Sequence, residues 1–120
     1  MRQGEAVRFV IEIDVSDVDA FRSLVEEAVA ISRDEPGTLV YDWYLNDDTG
    51  KCTLYEAYES FEALGLHIQG RVFTELGPKF MEVCKFVHVD AFGEPPPGAD
   101  GGPTIAPTTW WGAPFAAVSG

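Results

Sequence analysis

Basic side chains are scarce in this chain of 120 residues, in which 8 lysines and arginines stand against 20 aspartates and glutamates. The formal net charge is therefore −12 at pH 7. Nucleic acids and anionic membrane surfaces are bound through basic patches, so this balance argues against both as partners. The acidic surface does not indicate any other partner, because a net charge keeps most proteins soluble whatever they bind.

Long apolar runs are missing as well. No stretch approaches the roughly 20 residues that a helix needs to span a bilayer. The opening residues MRQGE do not begin the apolar segment of a signal peptide. We therefore expect no membrane insertion and a cytoplasmic location.

Cysteine and histidine occur only twice each, which leaves little material for a metal centre. Cys52 and Cys84 belong to no CxxC or CxxH pair, and we expect small buried residues rather than a disulfide or a nucleophile. His67 and His88 stand far apart in the sequence and make a poor metal site. No glycine-rich phosphate loop follows a strand, and no Ser-His-Asp order is visible. The sequence thus predicts neither a metal nor a bound cofactor.

Apolar residues make up 46% of the chain and aromatic residues 12%, enough for the core of a folded domain. Periodicity of two predicts strands, periodicity near 3.6 predicts helices, and Gly50 closes the turn between two of the strands. The predicted strands cover residues 7–13, 38–45, 52–58 and 85–92, and the helical segments cover 18–32, 61–69, 71–76 and 78–83. This βαββαβ order indicates an α+β domain of the ferredoxin-like type.

The second predicted strand carries large side chains on both faces. Leu39, Tyr41, Trp43 and Leu45 alternate with Val40, Asp42 and Tyr44. In a ferredoxin-like domain both helices cover the same face of the sheet, so the other face would expose an apolar patch unusual for a monomer. We therefore expect a second copy of the chain to pack sheet to sheet, giving a homodimer.

Residues 93–120 have a different composition, because glycine and proline account for 12 of these 28 residues. Such a composition is typical of linkers. The segment nevertheless contains five large apolar side chains: Ile105, Trp110, Trp111, Phe115 and Val118. We expect an extended arm docked on the partner subunit, which could also join dimers into a tetramer. The alternative is a flexible tail.

Five pieces of the chain together resemble the antibiotic biosynthesis monooxygenase domain family. In order, they are EPGT at 35–38, YDW at 41–43, LYEAY at 54–58, SFEA at 60–63 and His67. The resemblance spans roughly residues 5–92. It implies a ferredoxin-like domain over residues 1–92 that forms a dimeric α+β barrel, followed by the C-terminal arm at 93–120.

The resemblance also makes His67 the first candidate for catalysis, because the family carries a histidine two turns into this helix. A plain surface or capping histidine is the competing interpretation. Glu56 is the second candidate, since a buried carboxylate beside a pocket acquires a raised pKa that suits proton transfer. A sheet-face residue paired with a cation is its alternative.

Four aromatic residues could form a flat apolar slot for a planar ligand, although packing in the core or an interface would explain them equally: Tyr41, Trp43, Tyr58 and Phe73. His88 has the pattern of an ordinary strand histidine. Haem-degrading relatives carry a tryptophan about ten residues before the helical histidine. Ala57 occupies that position here, which disfavours haem degradation.

The leading hypothesis is a cofactor-independent monooxygenase that acts on a planar phenolic or quinol-like small molecule, with His67 as the base and Glu56 orienting it or relaying the proton. Tyr41 or Tyr58 would stabilise the oxyanion. An isomerase that moves a proton on a small carbonyl compound is the second hypothesis. A dimeric binding module without catalytic activity is the third.

Overall fold

The structure is a computed structural model that describes residues 6–95 and 105–118. The elements in chain order are β1 (Val7–Val15), α1 (Val18–Ser32), β2 (Thr38–Asn46), β3 (Lys51–Tyr58), α2 (Phe61–Gln69), a π-helical turn (Val72–Leu76), α3 (Gly77–Val83), β4 (Cys84–Phe92) and β5 (Thr108–Trp110). The strands form one sheet in the order β2-β3-β1-β4-β5. The first four strands pair antiparallel and β5 joins β4 in parallel. This confirms the predicted ferredoxin-like α+β domain.

Two helix starts follow from local chemistry. The carboxylate of Asp17 accepts a hydrogen bond from the backbone N–H of Ala20 and caps α1. The hydroxyl of Ser60 accepts from the backbone N–H of Ala63 and caps α2. Each cap satisfies a backbone donor that the first turn of a helix leaves unpaired. The preceding Ser16 donates its hydroxyl to the carbonyl of Val83.

The helices cover one face of the sheet, and the core lies between the helices and that face. Alternate residues of β1 and β3 point into it, including Phe9, Ile11, Leu54 and Tyr58. Helix α1 contributes Phe21 and Leu24, which are buried at helical spacing. Burial of this apolar surface is the main stabilising contribution of the fold. The opposite face of the sheet bears no helix in the described part of the chain.

Strand β2 departs from simple alternation. Its pairing with β3 shifts between Thr38 and Val40, so Leu39 forms a bulge and is 58% exposed. The expectation that Leu39 shares a face with Tyr41 and Trp43 is therefore wrong. Tyr41 and Trp43 do lie on the helix-covered face, opposite Glu56 and Leu54 in the neighbouring strand.

The arm lies partly within the described residues. Its strand β5 pairs with β4 of the same chain, and the ring of Trp110 contacts the rings of Phe9 and Phe61. Docking of the arm on a partner subunit stays a prediction. Within the described residues, β5 and Trp110 pack on their own domain, whereas Phe115 and Val118 are fully exposed. Residues 96–104 and 119–120 of the arm, and 1–5 at the start of the chain, lie outside the described residues. Among the helices described, none is long and apolar enough to cross a membrane.

Candidate active site

Helix α2 brings His67 over the turn that follows α1. Ala63 and His67 are four residues apart, so they share one face of the helix, and both are buried. Gly37 in the turn has φ of 85°, and a Cβ there would lie 2.6 Å from the Cβ of Ala63. Only glycine permits both this backbone conformation and this close approach. The contact sets the height of α2 above the turn and so positions the imidazole of His67.

His67 pairs with the glutamate of that same turn. Its Nδ1 lies 2.6 Å from Oε1 of Glu35, and His67 is only 2% exposed. The same carboxylate accepts a hydrogen bond from the hydroxyl of Thr38 at 3.3 Å. Nε2 of His67 makes no hydrogen bond with any other residue in 6–95 or 105–118. A carboxylate on one nitrogen that leaves the other nitrogen uncommitted is the arrangement of an oriented general base.

A second buried carboxyl lies beside this pair. Glu56 is buried in β3 and accepts a hydrogen bond of 2.7 Å from the hydroxyl of Tyr58. Burial raises the pKa of Glu56, although the hydrogen bond from Tyr58 and the nearby His67 act in the opposite direction. The negative charge of Glu35 adds to the upward shift. Glu56 is therefore suited to hold a proton that an exposed carboxyl would release.

Aromatic rings enclose the imidazole of His67. The ring centres of Tyr41, Tyr58 and Phe73 lie 5.2, 5.3 and 5.5 Å from it. Burial raises the pKa of the Tyr41 and Tyr58 phenols, and the charge of Glu56 raises both further. Both tyrosines thus remain protonated and can donate hydrogen bonds inside the site.

Trp43 belongs to the same aromatic layer but stands one ring farther from the histidine. Its ring contacts Tyr41 at 5.5 Å and stacks on Phe80 with an interplanar angle of 5°. The indole N–H is buried and has no hydrogen-bond partner among the described residues. A buried donor without an acceptor is costly, which marks this position as one where a polar atom could be accommodated.

The site is closed in this structure. Two surface clefts within the described residues lie elsewhere, one beside Ser16 and Met81 and the other beside Arg8 and Trp111. Phe73 stands edge-on to His67 and is 37% exposed, so its ring separates the imidazole from solvent. It sits in the π-helical turn, a type of distortion frequent at functional sites. Access to His67 requires this ring to move.

Five of the six residues singled out from the sequence meet in one cluster: His67, Glu56, Tyr41, Tyr58 and Phe73. Glu56 lies in the cluster but bonds Tyr58, whereas Glu35 contacts the imidazole. Glu35 was missed as a site residue because the EPG segment was used only as part of the family pattern. The feature that could have pointed to Glu35 is its position two residues before Gly37, the glycine that packs against the helix carrying His67.

Other chemistry-bearing groups remain outside this cluster. Burial raises the pKa of Cys52 and of Cys84 to about 11, which keeps both thiols protonated and poorly nucleophilic. Residues 6–95 and 105–118 contain no group of three or more metal-ligating side chains. The proton-transfer groups are therefore concentrated around His67.

Comparison with known proteins decides the family. Residues 6–76, more than half of the chain, match the family described as Antibiotic biosynthesis monooxygenase. The chain belongs to this family. No curated protein sequence matches it. Family membership supports a small-molecule monooxygenase in general terms.

Solved structures share the fold at low sequence identity. MupZ from Pseudomonas fluorescens superposes with a TM-score of 0.72 at 16% identity, over 96% of this chain and 97% of its own. SnoaB, a cofactor-independent oxygenase from Streptomyces nogalater, gives 0.66 at 14% identity over 77% and 95%. A conserved protein from Methanosarcina mazei Go1 gives 0.66 at 20% identity over 78% and 96%. At these identities the likeness establishes the fold alone.

Proposed function

We propose that this protein is a cofactor-independent monooxygenase that acts on a planar phenolic or quinol-like small molecule. One observation supports the proposal above the others. His67 is buried, its Nδ1 is held by Glu35 at 2.6 Å, and its Nε2 is uncommitted within a ring of aromatic side chains. A base oriented in this way suits removal of a proton from a phenol or an activated carbon acid.

The surroundings of the base suit an electron-rich planar substrate. Phe73 and the two tyrosines offer flat apolar surfaces, so an aromatic substrate could replace the contacts that Phe73 now makes with His67. Water excluded from such a pocket cannot stabilise charge, which increases the effect of each nearby donor. The protonated phenols of Tyr41 and Tyr58 would stabilise an oxyanion.

The reaction balances without an added reductant. His67 takes a proton from the substrate, and the resulting carbanion gives one electron to O2, forming superoxide and a substrate radical. The two recombine into a carbon-bound peroxide. Loss of water from the protonated peroxide converts a CH2 group to a carbonyl. One oxygen atom remains in the product and the other leaves as water, with all four electrons supplied by the substrate.

Glu56 would supply the proton that this last step needs. Its pKa is raised by burial, and its hydrogen bond to Tyr58 connects it with a phenol in contact with the imidazole. His67 would begin the cycle as a base while Glu56 begins it as an acid. Two groups with opposite protonation tendencies in one site are the pattern expected for coupled acid and base catalysis.

We further propose that the active protein is a homodimer formed through the helix-free face of the sheet. Tyr44 on that face is 60% exposed, and Val40, Tyr55 and Phe92 on the same face are half-buried. Large apolar surfaces of this kind are uncommon on monomers. Light scattering should give twice the chain mass of 13.1 kDa, or a multiple of it. A monomer would exclude the dimeric barrel.

Oxygen uptake tests the proposed reaction. A panel of quinols, naphthoquinols and activated phenols would be offered to the purified protein in the presence of a metal chelator. We expect uptake of one O2 per substrate consumed, with the label of 18O2 appearing in the product. Absence of uptake across the panel, or uptake abolished by the chelator, would count against this function.

A carbonyl isomerase is the second candidate, because the site pairs a base with a buried acid and neither group needs oxygen. The same panel supplemented with small enones, assayed without air, separates the two reactions. Conversion that proceeds at an equal rate under argon would favour the isomerase. A non-catalytic module is favoured by the closed packing around His67, and would give neither uptake nor isomerisation.

A further inference from the structure

We propose that a chain of aromatic residues carries oxidising equivalents from the site to the surface, from Tyr58 through Trp110 to Trp111. Its purpose would be to protect the protein when a radical formed from oxygen escapes the substrate. The inference rests on the proposed function for the source of that radical. The path itself is argued from geometry alone.

Ring contacts make up the path as far as Trp110, and the last step, to Trp111, runs between neighbours in the chain. Tyr58 contacts His67 at 5.3 Å on one side and Phe9 at 6.4 Å on the other. The ring of Phe9 in turn contacts Trp110 at 6.2 Å. Phe9 therefore lies between two oxidisable side chains and holds them close together. Trp111 follows Trp110 directly in the chain and is 62% exposed, so the series reaches solvent.

The first and last members each hydrogen-bond to a carboxylate. The hydroxyl of Tyr58 donates to Glu56 at 2.7 Å, and the indole N–H of Trp111 donates to Asp90 at 3.0 Å. A phenol or an indole becomes acidic when it loses an electron, so a hydrogen-bonded base that takes the proton makes the oxidation easier. Asp90 is such a base at the surface end, and Glu56 becomes one at the inner end once it has given up its proton in the last step of turnover.

The described residues offer no such base to the middle member. The indole N–H of Trp110 is buried and has no hydrogen-bond partner among the described residues. Trp110 cannot hand its proton to a neighbour on oxidation, so its radical stays charged and strongly oxidising. It would act as a transient relay rather than a resting place, and the oxidising equivalent would settle at Tyr58 or Trp111.

The transfer balances as follows. A hydroperoxyl or substrate radical takes an electron from Tyr58 and is reduced to the corresponding anion, while the phenol proton moves to the ionised Glu56, which leaves a neutral tyrosyl radical. Trp110 reduces this radical, and the proton shared with Glu56 returns to the phenol. Trp111 then reduces Trp110 and gives its proton to Asp90. A soluble thiol or ascorbate finally returns a hydrogen atom to the Trp111 radical at the surface.

Flash-quench oxidation of the full-length protein, at a pH high enough to ionise Glu56, tests the path without any substrate. Photogenerated tris(bipyridine)ruthenium(III) oxidises exposed side chains from outside, and electron paramagnetic resonance records the radicals formed. The signal assigned to Tyr58 is the part of the tyrosyl signal that Tyr58→Phe removes. We expect this signal in the unaltered protein and its loss in both Trp110→Phe and Trp111→Phe, each of which keeps an aromatic ring in place.

Trp43→Phe is the matched control, because Trp43 is oxidisable but lies on the other side of His67 from Trp110. It should leave the Tyr58 signal unchanged. A Tyr58 radical that persists in Trp110→Phe and Trp111→Phe, or that never forms, would overturn the path. Either result can be read without turnover, so it is distinct from a failure of the oxygen-uptake assay.

Discussion

The two faces of the sheet each carry a histidine beside a carboxylate, and the pairs differ in almost every other respect. On the helix-covered face, His67 and Glu35 are 2.6 Å apart with side chains 2% and 15% exposed. On the open face, His88 and Asp90 are 3.3 Å apart with side chains 34% and 31% exposed. Nε2 of His88 also contacts the hydroxyl of Thr109 at 3.2 Å, so this nitrogen is shared between two neighbours.

The difference shows why a histidine–carboxylate pair is not a site by itself. An exposed pair is screened by water and loses little when it is broken. A buried pair keeps its orientation, and its electrostatic effect on a bound molecule is larger in the low-dielectric interior. The exposed pair also helps to hold the arm, since Asp90 accepts from the indole of Trp111. It therefore serves as an internal control for the buried one.

Replacing each histidine in turn should give the largest contrast. His67→Asn keeps a donor near the position of Nδ1 and removes the base at Nε2. We expect kcat/KM for oxygen uptake to fall by roughly 10²–10⁴, the usual contribution of general acid–base catalysis. His88→Asn should leave kcat/KM unchanged. Equal losses in the two variants would mean that the comparison between the faces carries no functional meaning.

Gly37 tests what aligns the buried pair. In Gly37→Ala the new Cβ would meet the Cβ of Ala63 at 2.6 Å, and the backbone would keep a φ of 85°. We expect the free energy of unfolding to fall by roughly 2–4 kcal/mol from strain and overpacking, measured by urea denaturation.

Gly65 is the matched control for this substitution, because a Cβ at Gly65 of the same helix meets nothing within 4 Å. Gly65→Ala should stabilise the protein by up to about 1 kcal/mol, the helix-propensity difference between the two residues. Destabilisation by both substitutions would show that α2 tolerates no added methyl group. The loss at Gly37 could then not be attributed to its contact with Ala63.

The arm contacts the exposed pair directly and the buried pair only through intervening rings. Truncation after Gly93 removes β5 and the half-buried Trp110. We expect a loss of about 1–3 kcal/mol in the free energy of unfolding, from the apolar area returned to water. Thermal melting followed by circular dichroism measures this change. Unchanged melting would mean that the arm contributes nothing to the stability of the domain.

Replacing Glu56 should give the smallest of these effects, a difference in Tm that depends on pH. A carboxyl whose pKa is raised by folding contributes most stability below its ordinary pKa of 4.5, and this contribution is lost as pH rises through the folded value. Glu56→Gln removes that loss, so the variant's Tm relative to the wild type should increase from acidic to alkaline pH. A difference in Tm that stays constant with pH would show that Glu56 does not titrate upward in the folded protein.

Much of the fold was available from the sequence, because its determinants are local. The cap at Ser60, the turn at Gly50 and the alternation along β1 and β3 each depend on residues close in the chain. Leu39 was misplaced because a β-bulge depends on the pairing with a neighbouring strand, which alternation does not reveal.

The site was only partly available for the same reason. His67 and the aromatic cluster followed from a family pattern, but the partner of His67 depends on how closely α2 approaches the turn at Gly37. That distance is a property of tertiary packing. Strand β5 was missed because three residues, TTW, are too few to show a period, and their pairing with β4 spans a long connection.

The central claim is that Nε2 of His67 faces the substrate once Phe73 moves aside. A crystal structure with a hydroxynaphthoquinone, which resembles the substrate but cannot be oxidised by O2, tests this directly. We expect a ligand oxygen within about 2.6–3.2 Å of Nε2, the reach of a general base. The ring of Phe73 should be displaced, and Glu35 should still hold Nδ1. A ligand bound only on the open face of the sheet, with Phe73 still against His67, would contradict the account.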